Sequence, residues 1–310
     1  MNAAAEAIKG KYFKVLDHGH VALKDYMGGD GDIVEAARVS YGQGTRHVSN
    51  DRTLIRYLSN HRHTTPSEMV VFKFHIAMPI HAHRQHIRHR MSTTNEYSAR
   101  YSIVPEVIYN DYEIKQQSAS NKQGRSDELV SGTGDLKSRV LANEMEAFKL
   151  YGELVEAGAA KELARMHLPL NTYTYFYWKV DLHNLLHYLG LRCDSHAQYE
   201  IRAFANCMAA MVKEVCPLAF EAWYDYSFSG ARMSKQDRQL LSWYIGFIAN
   251  ATVMQMCDKE YVTTNTVQRA KLLKMTDREI TDWWKKIEAP DEQEFDLGQF
   301  EEFVPNVEKS

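Results

Sequence analysis

Alternating apolar and polar positions predict strands at several places in the chain. In one stretch four apolar residues alternate with smaller or polar ones: Phe72, Phe74, Ile76 and Met78. This period of two is that of a half-buried strand, and Pro79 ends it. Residues 12–30 are interpreted as short strands that end at a Gly-Gly-Asp turn, and the aromatic, β-branched run of residues 172–180 is a further strand.

A helical spacing of apolar residues predicts helices between these strands. The pattern covers residues 31–41 and 51–60. Residues 80–90 show no strand alternation and are expected to form a helix, and a further helix is expected over 139–156. Residues 115–137 hold too few apolar side chains to pack a core, which indicates a surface loop.

Polar residues at helix starts predict where the later helices begin. Asp181 can cap a helix that carries a leucine stripe and ends at Gly190. Residues 195–198 resemble a capping box that opens a helix to about Val215. Ser234, and the Thr276-x-x-Glu279 capping box, begin two further helices, the second with Trp283 and Trp284.

Mixed strands and helices place the chain in the α/β class. We predict a main domain over residues 1–229, which the family resemblance described below makes the catalytic one, and a helical extension over 230–310, which packs on the core and ends in an acidic tail. A solvated extension without its own function is the alternative. The acidic residues of the tail are Glu288, Asp291, Glu292, Glu294, Asp296, Glu301 and Glu302.

Composition indicates a soluble globular protein: 45% of the 310 residues are hydrophobic and 25% are charged. The net charge of −3 gives no general attraction to nucleic acid or to a membrane surface. The longest weakly polar stretch, residues 245–256, is shorter than the roughly 20 residues that cross a bilayer. No signal peptide is evident, and the four unpaired cysteines predict free thiols in the cytoplasm.

The densest polar cluster spans residues 81–101 and is rich in arginine. Four arginines stand there against one acid, Glu96: Arg84, Arg88, Arg90 and Arg100. On one helix, cations so crowded repel each other unless an anion binds, and guanidinium groups suit phosphates and ionised rings. Hydroxyl and amide side chains at 92–95 add neutral donors, so the cluster predicts an anion site rather than a merely solvated basic face.

Two other functions remain open from the residues alone. Clustered histidines (His81, His83, His86 and His89, with His183 and His187 four residues apart) suggest a metallohydrolase. The interleaved arginines would repel a dication, so we predict no metal. A basic helix with Tyr97 and Tyr101 could instead stack single-stranded nucleic acid. Neither the G-x-G-x-x-G nor the Walker A phosphate loop is present.

The segment from Gln85 to Tyr101 resembles the flavin-dependent thymidylate synthase family. Its signature is Arg88-His89-Arg90 followed, after seven residues, by Ser98. Further segments match in order and spacing, so that the resemblance covers about residues 11–225: residues 36–40, 63–68, 162–165, 168–169 and 191–198. Residues 230–310 lie beyond it.

The resemblance implies a mostly antiparallel sheet flanked by helices, and a methyltransferase of nucleotide biosynthesis that supplies dTTP. Such a flavoprotein converts dUMP to dTMP, with 5,10-methylenetetrahydrofolate as carbon donor and NADPH as hydride source through FAD. It also implies a cytoplasmic homotetramer whose subunits share active sites. A shared site explains how an enzyme without a dinucleotide-binding loop could hold a flavin diphosphate.

The resemblance also implies roles for individual residues. Arg192 is the expected catalytic residue, because positive charge there would stabilise uracil ionised at N3. The dUMP-binding residues would be Gln85, His86, Ile87, Arg88, Glu96, Tyr97, Ser98, Ala99, Arg100, Arg165 and Arg192. The FAD-binding residues would be Thr65, Arg88, His89, Arg90, Glu96, Asp181, Leu182, His183 and His187.

Two features qualify these roles. Ser98 has no evident base nearby, so we expect it to donate hydrogen bonds rather than attack as a nucleophile. Some relatives have Asn-x-Arg where this chain has Asp181-Leu182-His183, and asparagine where it has His187. Because a carboxylate would repel a diphosphate, we expect Asp181 to cap its helix or to meet a sugar or base.

Overall fold

The computed structural model describes residues 2–39, 50–119, 122–250, 258–288, 290 and 292–305, apart from the side chain of residue 249. The predicted helix end at 40–41, Cys257 and Asp291 therefore lie outside the described residues. The chain divides into two compact units: Met1–Trp223 together with Glu294–Ser310, and Tyr224–Gln293. In the described residues no helix is long and apolar enough to cross a membrane.

A six-stranded sheet forms the centre of the first unit, and every neighbouring pair of strands is antiparallel. Its strands are β1 (Tyr12–Val15), β2 (Gly19–Met27), β3 (Val71–Pro79), β4 (Thr93–Glu96), β7 (Tyr173–Asp181) and β8 (Glu302–Phe303). Their order across the sheet is β4-β7-β3-β2-β1-β8. A separate hairpin pairs β5 (Lys115–Gln117) with β6 (Arg125–Leu129). The predicted α/β class with an antiparallel sheet is thereby confirmed.

The first unit also contains a set of helices. They are α1 (Ala3–Ile8), α2 (Asp30–Arg38), α3 (Asp51–Asn60), α4 (Thr65–Glu68), α5 (Ile80–His86), α6 (Gly134–Glu156), α7 (Lys161–Ala164), α8 (Leu182–Arg192), α9 (Tyr199–Val215) and α10 (Pro217–Trp223). The most buried is α9, which contacts β1, β2, α1, α5, α8 and α10. Because it has neighbours on most sides, its apolar residues extend well beyond a single stripe.

The alternation of β3 places its large apolar side chains on the covered face of the sheet. Phe72, Phe74 and Ile76 are fully buried there, and Phe74 pairs in register with Trp178 of β7. Burying each such side chain contributes roughly 1.5–3 kcal/mol. The strand predicted over 72–78 is confirmed.

The junction between β7 and α8 places the helix directly after the last residue of the strand. Asp181 ends the strand, and its carboxylate accepts a hydrogen bond from the backbone N–H of Asn184 at 2.9 Å. The predicted cap is therefore confirmed. The helix does not end at Gly190 but continues to Arg192, because Gly190 keeps helical geometry and the backbone N–H of Cys193 still bonds Leu189.

Three further local predictions were wrong. The helix expected over 80–90 ends at His86, so Arg88 does not share a helical face with Arg84. The capping box at 195–198 does not form, since the carboxylate of Asp194 caps the backbone of His196 instead. The polar stretch 115–137 is not simply a loop, because it contains the β5–β6 hairpin and the start of α6.

The second unit is helical. It contains a π-helical turn at Tyr224–Phe228 and the helices α11 (Lys235–Asn250), α12 (Lys259–Leu272) and α13 (Asp277–Ile287). Trp283 is fully buried in its core, together with Leu240 and Ala270. The capping box of Thr276 and Glu279 forms as predicted.

The residues that follow the second unit, 294–310, belong to the first unit. β8 pairs with β1, and Lys11 Nζ lies 2.8 Å from a carboxylate oxygen of Glu302. The ring of Phe295 lies 6.3 Å, centroid to centroid, from that of Trp223. The structural division thus falls after residue 223 and groups 294–310 with the sheet. The assignment of catalysis to residues 1–229 stays a prediction.

Candidate functional site

A cleft of about 650 Å³ opens between the segment after α5 and the exposed side of α8. It lies at the β4–β7 side of the sheet, where Trp178 and Val180 of β7 contribute to its wall. The residues that line it are Arg88, His89, Arg90, Met91, Trp178, Val180, Asn184, His187, Leu191 and Arg192. None of these is acidic, so three guanidinium groups line the cleft without a carboxylate among the described residues of its wall.

The end of α5 places the arginine segment in the cleft. Backbone bonds close the helix at Ile87, and His89 N–H then bonds the carbonyl of His86 at 3.2 Å. The hydroxyl of Ser92 donates to the carbonyl of His89 at 2.9 Å and fixes the following turn. Arg88 and Arg90 therefore extend from a turn held by its own backbone, rather than from a helix.

Arg192 reaches the same cleft from the last turn of α8. Its Nε donates to Nε2 of His89 at 3.1 Å, and its Nη2 donates to the carbonyl of Gln85 at 3.3 Å. Burial, and then the positive charge of Arg192, lower the pKa of His89 to about 4. A neutral imidazole has a lone pair to accept this bond, so His89 orients the guanidinium at neutral pH.

A buried aromatic layer supports the cleft from behind. His86 is fully buried, with Nδ1 3.2 Å from the hydroxyl of Tyr188, and burial lowers its pKa well below the ordinary value. The indole Nε1 of Trp178, a residue of the cleft wall, is buried and has no hydrogen-bond partner among the described residues. A buried donor without an acceptor is costly, and an acceptor on a bound ligand would remove that cost.

These residues fit a flavin dinucleotide. Three arginines and the absence of acid suit a diphosphate, and the unpaired Trp178 N–H suits a carbonyl or ring nitrogen of a flat heterocycle. Met91 and Leu191 are 72% and 51% exposed although they line the cleft, so they offer apolar contacts to a ring.

A second, smaller cavity of about 250 Å³ is lined by Tyr175 and Tyr177 of β7. Glu96 and Tyr97 line it, together with Asn95. A Glu96 carboxylate oxygen accepts from the hydroxyl of Thr174 at 2.7 Å and lies 3.6 Å from Nδ1 of His83. Glu96 is therefore held away from the arginine cleft.

The structure gathers some of the predicted residues and leaves others outside this cleft. Arg88, His89, Arg90, His187 and Arg192 line it together. Asp181 caps α8, Leu182 and His86 are buried, and His183 is half-buried. The remaining predicted residues do not line it: Thr65, Gln85, Ile87, Ser98, Ala99, Arg100 and Arg165.

Several of these outlying residues have contacts of their own. Arg100 forms an ion pair with Glu162 at 2.9 Å, and the hydroxyl of Ser98 accepts from the backbone of Arg100. Thr65 starts α4, which packs on α8, and Arg165 is exposed. Within one chain, Arg88 and Arg192 of the predicted nucleotide residues lie with the predicted flavin residues in this cleft, and most of the other nucleotide residues lie outside it.

The sequence analysis missed Trp178 and Asn184 as residues of the cleft. Asn184 stands three residues before His187 on α8, so helical spacing could have indicated that they share a face. Trp178 could not have been predicted as a cleft residue, because its place in an aromatic, β-branched strand indicates only a core position. In the described residues no group of three or more His, Cys, Asp or Glu side chains could hold a metal ion.

Comparison with other proteins identifies relatives over most of the chain. The family model described as "Thymidylate synthase complementing protein" matches residues 22–218. A flavin-dependent thymidylate synthase of Wolbachia pipientis wMel is 46% identical over 239 residues, which are 76% of this chain and 84% of that relative. Another from Thermus thermophilus is 49% identical over 227 residues, 73% of this chain and 83% of the relative.

Solved structures agree with this relationship. The UMP/dUMP methylase PolB from Streptomyces cacaoi, bound with 5-Br UMP, is 30% identical with a TM-score of 0.59 and covers 70% of this chain and 98% of its own. Its structure with 5-Br dUMP gives 29% identity, a TM-score of 0.60, and coverage of 69% and 98%. These relatives favour the enzyme over the nucleic-acid module and the metallohydrolase. The chain belongs to the flavin-dependent thymidylate synthase family.

Proposed function

We propose that this protein is a flavin-dependent thymidylate synthase that methylates dUMP for dTTP synthesis. The net reaction is dUMP, 5,10-methylenetetrahydrofolate, NADPH and a proton giving dTMP, tetrahydrofolate and NADP⁺. Bound FAD would carry the hydride from NADPH to the one-carbon unit. The observation that carries the proposal is the cleft in which Arg88, Arg90 and Arg192 converge, with no acidic residue among its described wall residues, in a chain of this family.

The arginine cleft is the proposed FAD site. Arg88 and Arg90 would bind the diphosphate, since paired guanidinium donors match phosphate oxygens. His89 and His187, whose rings contact each other with centroids 6.0 Å apart, would contact the dinucleotide together. Thr65, Glu96, Asp181, Leu182 and His183 remain candidates for further FAD contacts, through α4, the second cavity and the start of α8.

Arg192 is the proposed catalytic residue. Its guanidinium, oriented by neutral His89, would stabilise the negative charge of uracil ionised at N3. That charge makes C5 nucleophilic toward the methylene carbon. Because the bond from Nε to His89 leaves part of the guanidinium fork uncommitted, Arg192 can hold its position and still donate to the base.

The proposed dUMP residues require more than one chain. Gln85–Arg88, Glu96–Arg100 and Arg165 would bind the nucleotide, partly through backbone groups, yet several of them do not line the arginine cleft. Exposed apolar side chains at the cleft, Met91 and Leu191 above all, support contact with a second copy. We therefore propose a homotetramer with shared active sites, which sedimentation velocity can test.

We further propose that the enzyme works in the cytoplasm without a nucleic-acid or membrane partner. Three described cysteines, Cys193, Cys207 and Cys216, are free and buried. Free thiols suit a reducing compartment. Subcellular fractionation of the source cells tests the location.

A single spectroscopic experiment tests the proposed function. The purified protein, supplied with FAD, should be yellow, and its oxidised-flavin band should bleach when NADPH is added anaerobically with dUMP. Adding methylenetetrahydrofolate should then yield dTMP, detected by chromatography. A protein that takes up no FAD, or that forms no dTMP with all substrates present, would contradict the proposal.

A further inference from the structure

The second unit contains a pocket that the proposed reaction does not use. It has a volume of about 630 Å³ and lies between α11 and α12, outside residues 22–218 that match the family. Lys235 and Arg238 from the first turn of α11, and Arg269 from α12, bring three cationic side chains to it. Gln239 and Ser242 add neutral hydrogen-bonding groups.

These three cations are not neutralised within the part of the chain that the structure describes. No carboxylate there forms an ion pair with Lys235, Arg238 or Arg269, whereas Lys286 in the same unit pairs with Asp237. The Nε of Arg269 is buried and has no hydrogen-bond partner among the described residues. Three like charges that converge on one concavity repel each other, and a bound anion would relieve the repulsion.

The pocket also has an apolar wall. Trp243 lines it, and Phe247 stacks behind Trp243 with ring centroids 5.0 Å apart and planes at 16°. Leu273 from the end of α12 closes this side. The volume falls in the range of small-molecule sites, and an inorganic phosphate would fill only a small part of it.

We propose that this pocket binds a phosphorylated ligand with a flat ring, of the nucleotide class. The phosphates contact Lys235, Arg238 and Arg269, and the N-terminal end of α11 adds positive potential to the two side chains that it carries. The ring packs on Trp243. The site is separate from the arginine cleft of the first unit, and occupation of one does not require occupation of the other.

Equilibrium dialysis with radiolabelled dTTP tests this proposal on the full-length protein saturated with FAD, which occupies the arginine cleft, and supplied with one equivalent of dUMP per chain. The wild type should bind one dTTP per chain, more weakly as salt rises. The double variant Lys235→Gln/Arg238→Gln changes two exposed side chains and should weaken binding at least tenfold. The matched control Lys259→Gln/Arg278→Gln removes two exposed cations of the same unit from outside the pocket and should bind as the wild type.

A third variant and a second probe test the ring contact. Trp243→Leu should weaken dTTP binding severalfold while it leaves the affinity for inorganic tripolyphosphate unchanged. Circular dichroism establishes that each variant is folded. Equal loss of dTTP binding in the pocket and control variants, or absence of binding by the wild type at millimolar dTTP, overturns the proposal. Equal loss of both probes in Trp243→Leu overturns the ring contact.

Discussion

Arg192 and His89 show how a cation and an imidazole can share a site without repelling each other. The pKa of His89 is lowered to about 4, so its ring is neutral near pH 7 and accepts a hydrogen bond from the Nε–H of Arg192. The charged group is thereby fixed by a neutral one. Fixed positive charge is what a site needs if it is to stabilise an anion without reorganising during the reaction.

Replacing Arg192 by alanine should leave FAD bound but lower dTMP formation by about 100-fold or more, the effect of losing one preorganised donor. The flavin spectrum and a dTMP assay measure the two properties separately. Arg139→Ala, on the exposed face of α6, is the control and should retain both. Near-normal turnover of Arg192→Ala would refute the catalytic role.

Replacing Arg88 by alanine should weaken FAD binding, since the diphosphate loses one of its guanidinium partners. A loss of about 1.5–3 kcal/mol, typical of a hydrogen bond to a charged group, raises Kd by roughly 10- to 150-fold. Fluorescence titration of the apoprotein with FAD measures this. Arg84→Ala removes an exposed arginine of α5 that does not line the cleft and should bind FAD normally. Full retention of FAD by Arg88→Ala would contradict the assignment.

At the scale of elements, β2 and β3 carry a histidine pair across the sheet. His20 Nε2 and His75 Nδ1 are 3.1 Å apart. Burial, then the neighbouring His75, lower the pKa of His20 to about 3, and burial lowers that of His75. Both rings are therefore neutral in the folded protein, whereas in the unfolded chain they bind protons near their ordinary pKa of 6.5.

Acid should destabilise this sheet. The stability that the pair contributes is present above pH 6.5 and is lost as the pH falls toward about 3, because the unfolded state then binds more protons. Each such histidine changes the free energy of unfolding by at most about 1.4 kcal/mol per pH unit. Urea unfolding at pH 7, 5.5 and 4.5 measures the slope of the free energy of unfolding against pH. His20→Gln should flatten it, and the exposed His167→Gln should not. If the free energy of unfolding depended on pH equally steeply in His20→Gln and the wild type, this explanation would be excluded.

The capping box of α13 should stabilise the second unit. Thr276 and Glu279 satisfy each other's backbone N–H groups at the helix start. Thr276→Ala should lower the free energy of unfolding of the second unit by about 1 kcal/mol. Hydrogen exchange of the α13 amides in the full chain should become correspondingly faster. Thr264→Ala, exposed in the middle of α12, should leave that exchange unchanged; equal effects of the two variants would show that the cap is unimportant.

At the scale of the whole molecule, residues 224–293 are inserted between two parts of the first unit. The rings of Trp223 and Phe295 on either side of the insertion lie 6.3 Å apart. Replacing residues 224–293 by a short Gly/Ser linker should therefore keep the sheet and FAD binding. Truncation after Ser229 removes β8 and Phe295 as well and should give a less stable protein. Thermal denaturation with FAD compares the two. A linker variant no more stable than the truncation would show that the insertion supports the first unit.

Much of the first unit followed from local pattern. The alternation of β3 and the cap at Asp181 depend on neighbouring residues and were predictable. The end of α5 at His86 could not be predicted, because the polar segment after it contains no proline or glycine that would end a helix. The turn there also depends on contacts between distant residues, such as that between Arg192 and Gln85. β8 was not predictable either, since two residues of an acidic tail carry no strand pattern until they meet β1.

The insertion has a consequence for synthesis on the ribosome. Phe303 follows Trp223 by 80 residues (303 − 223), a delay of about 4 to 16 seconds at 5–20 residues per second. During that interval β1 presents a free backbone edge, and Phe220 and Trp223 lack the ring of Phe295. Such an edge invites pairing with other nascent chains. The newborn protein should therefore depend on chaperones until translation is nearly complete.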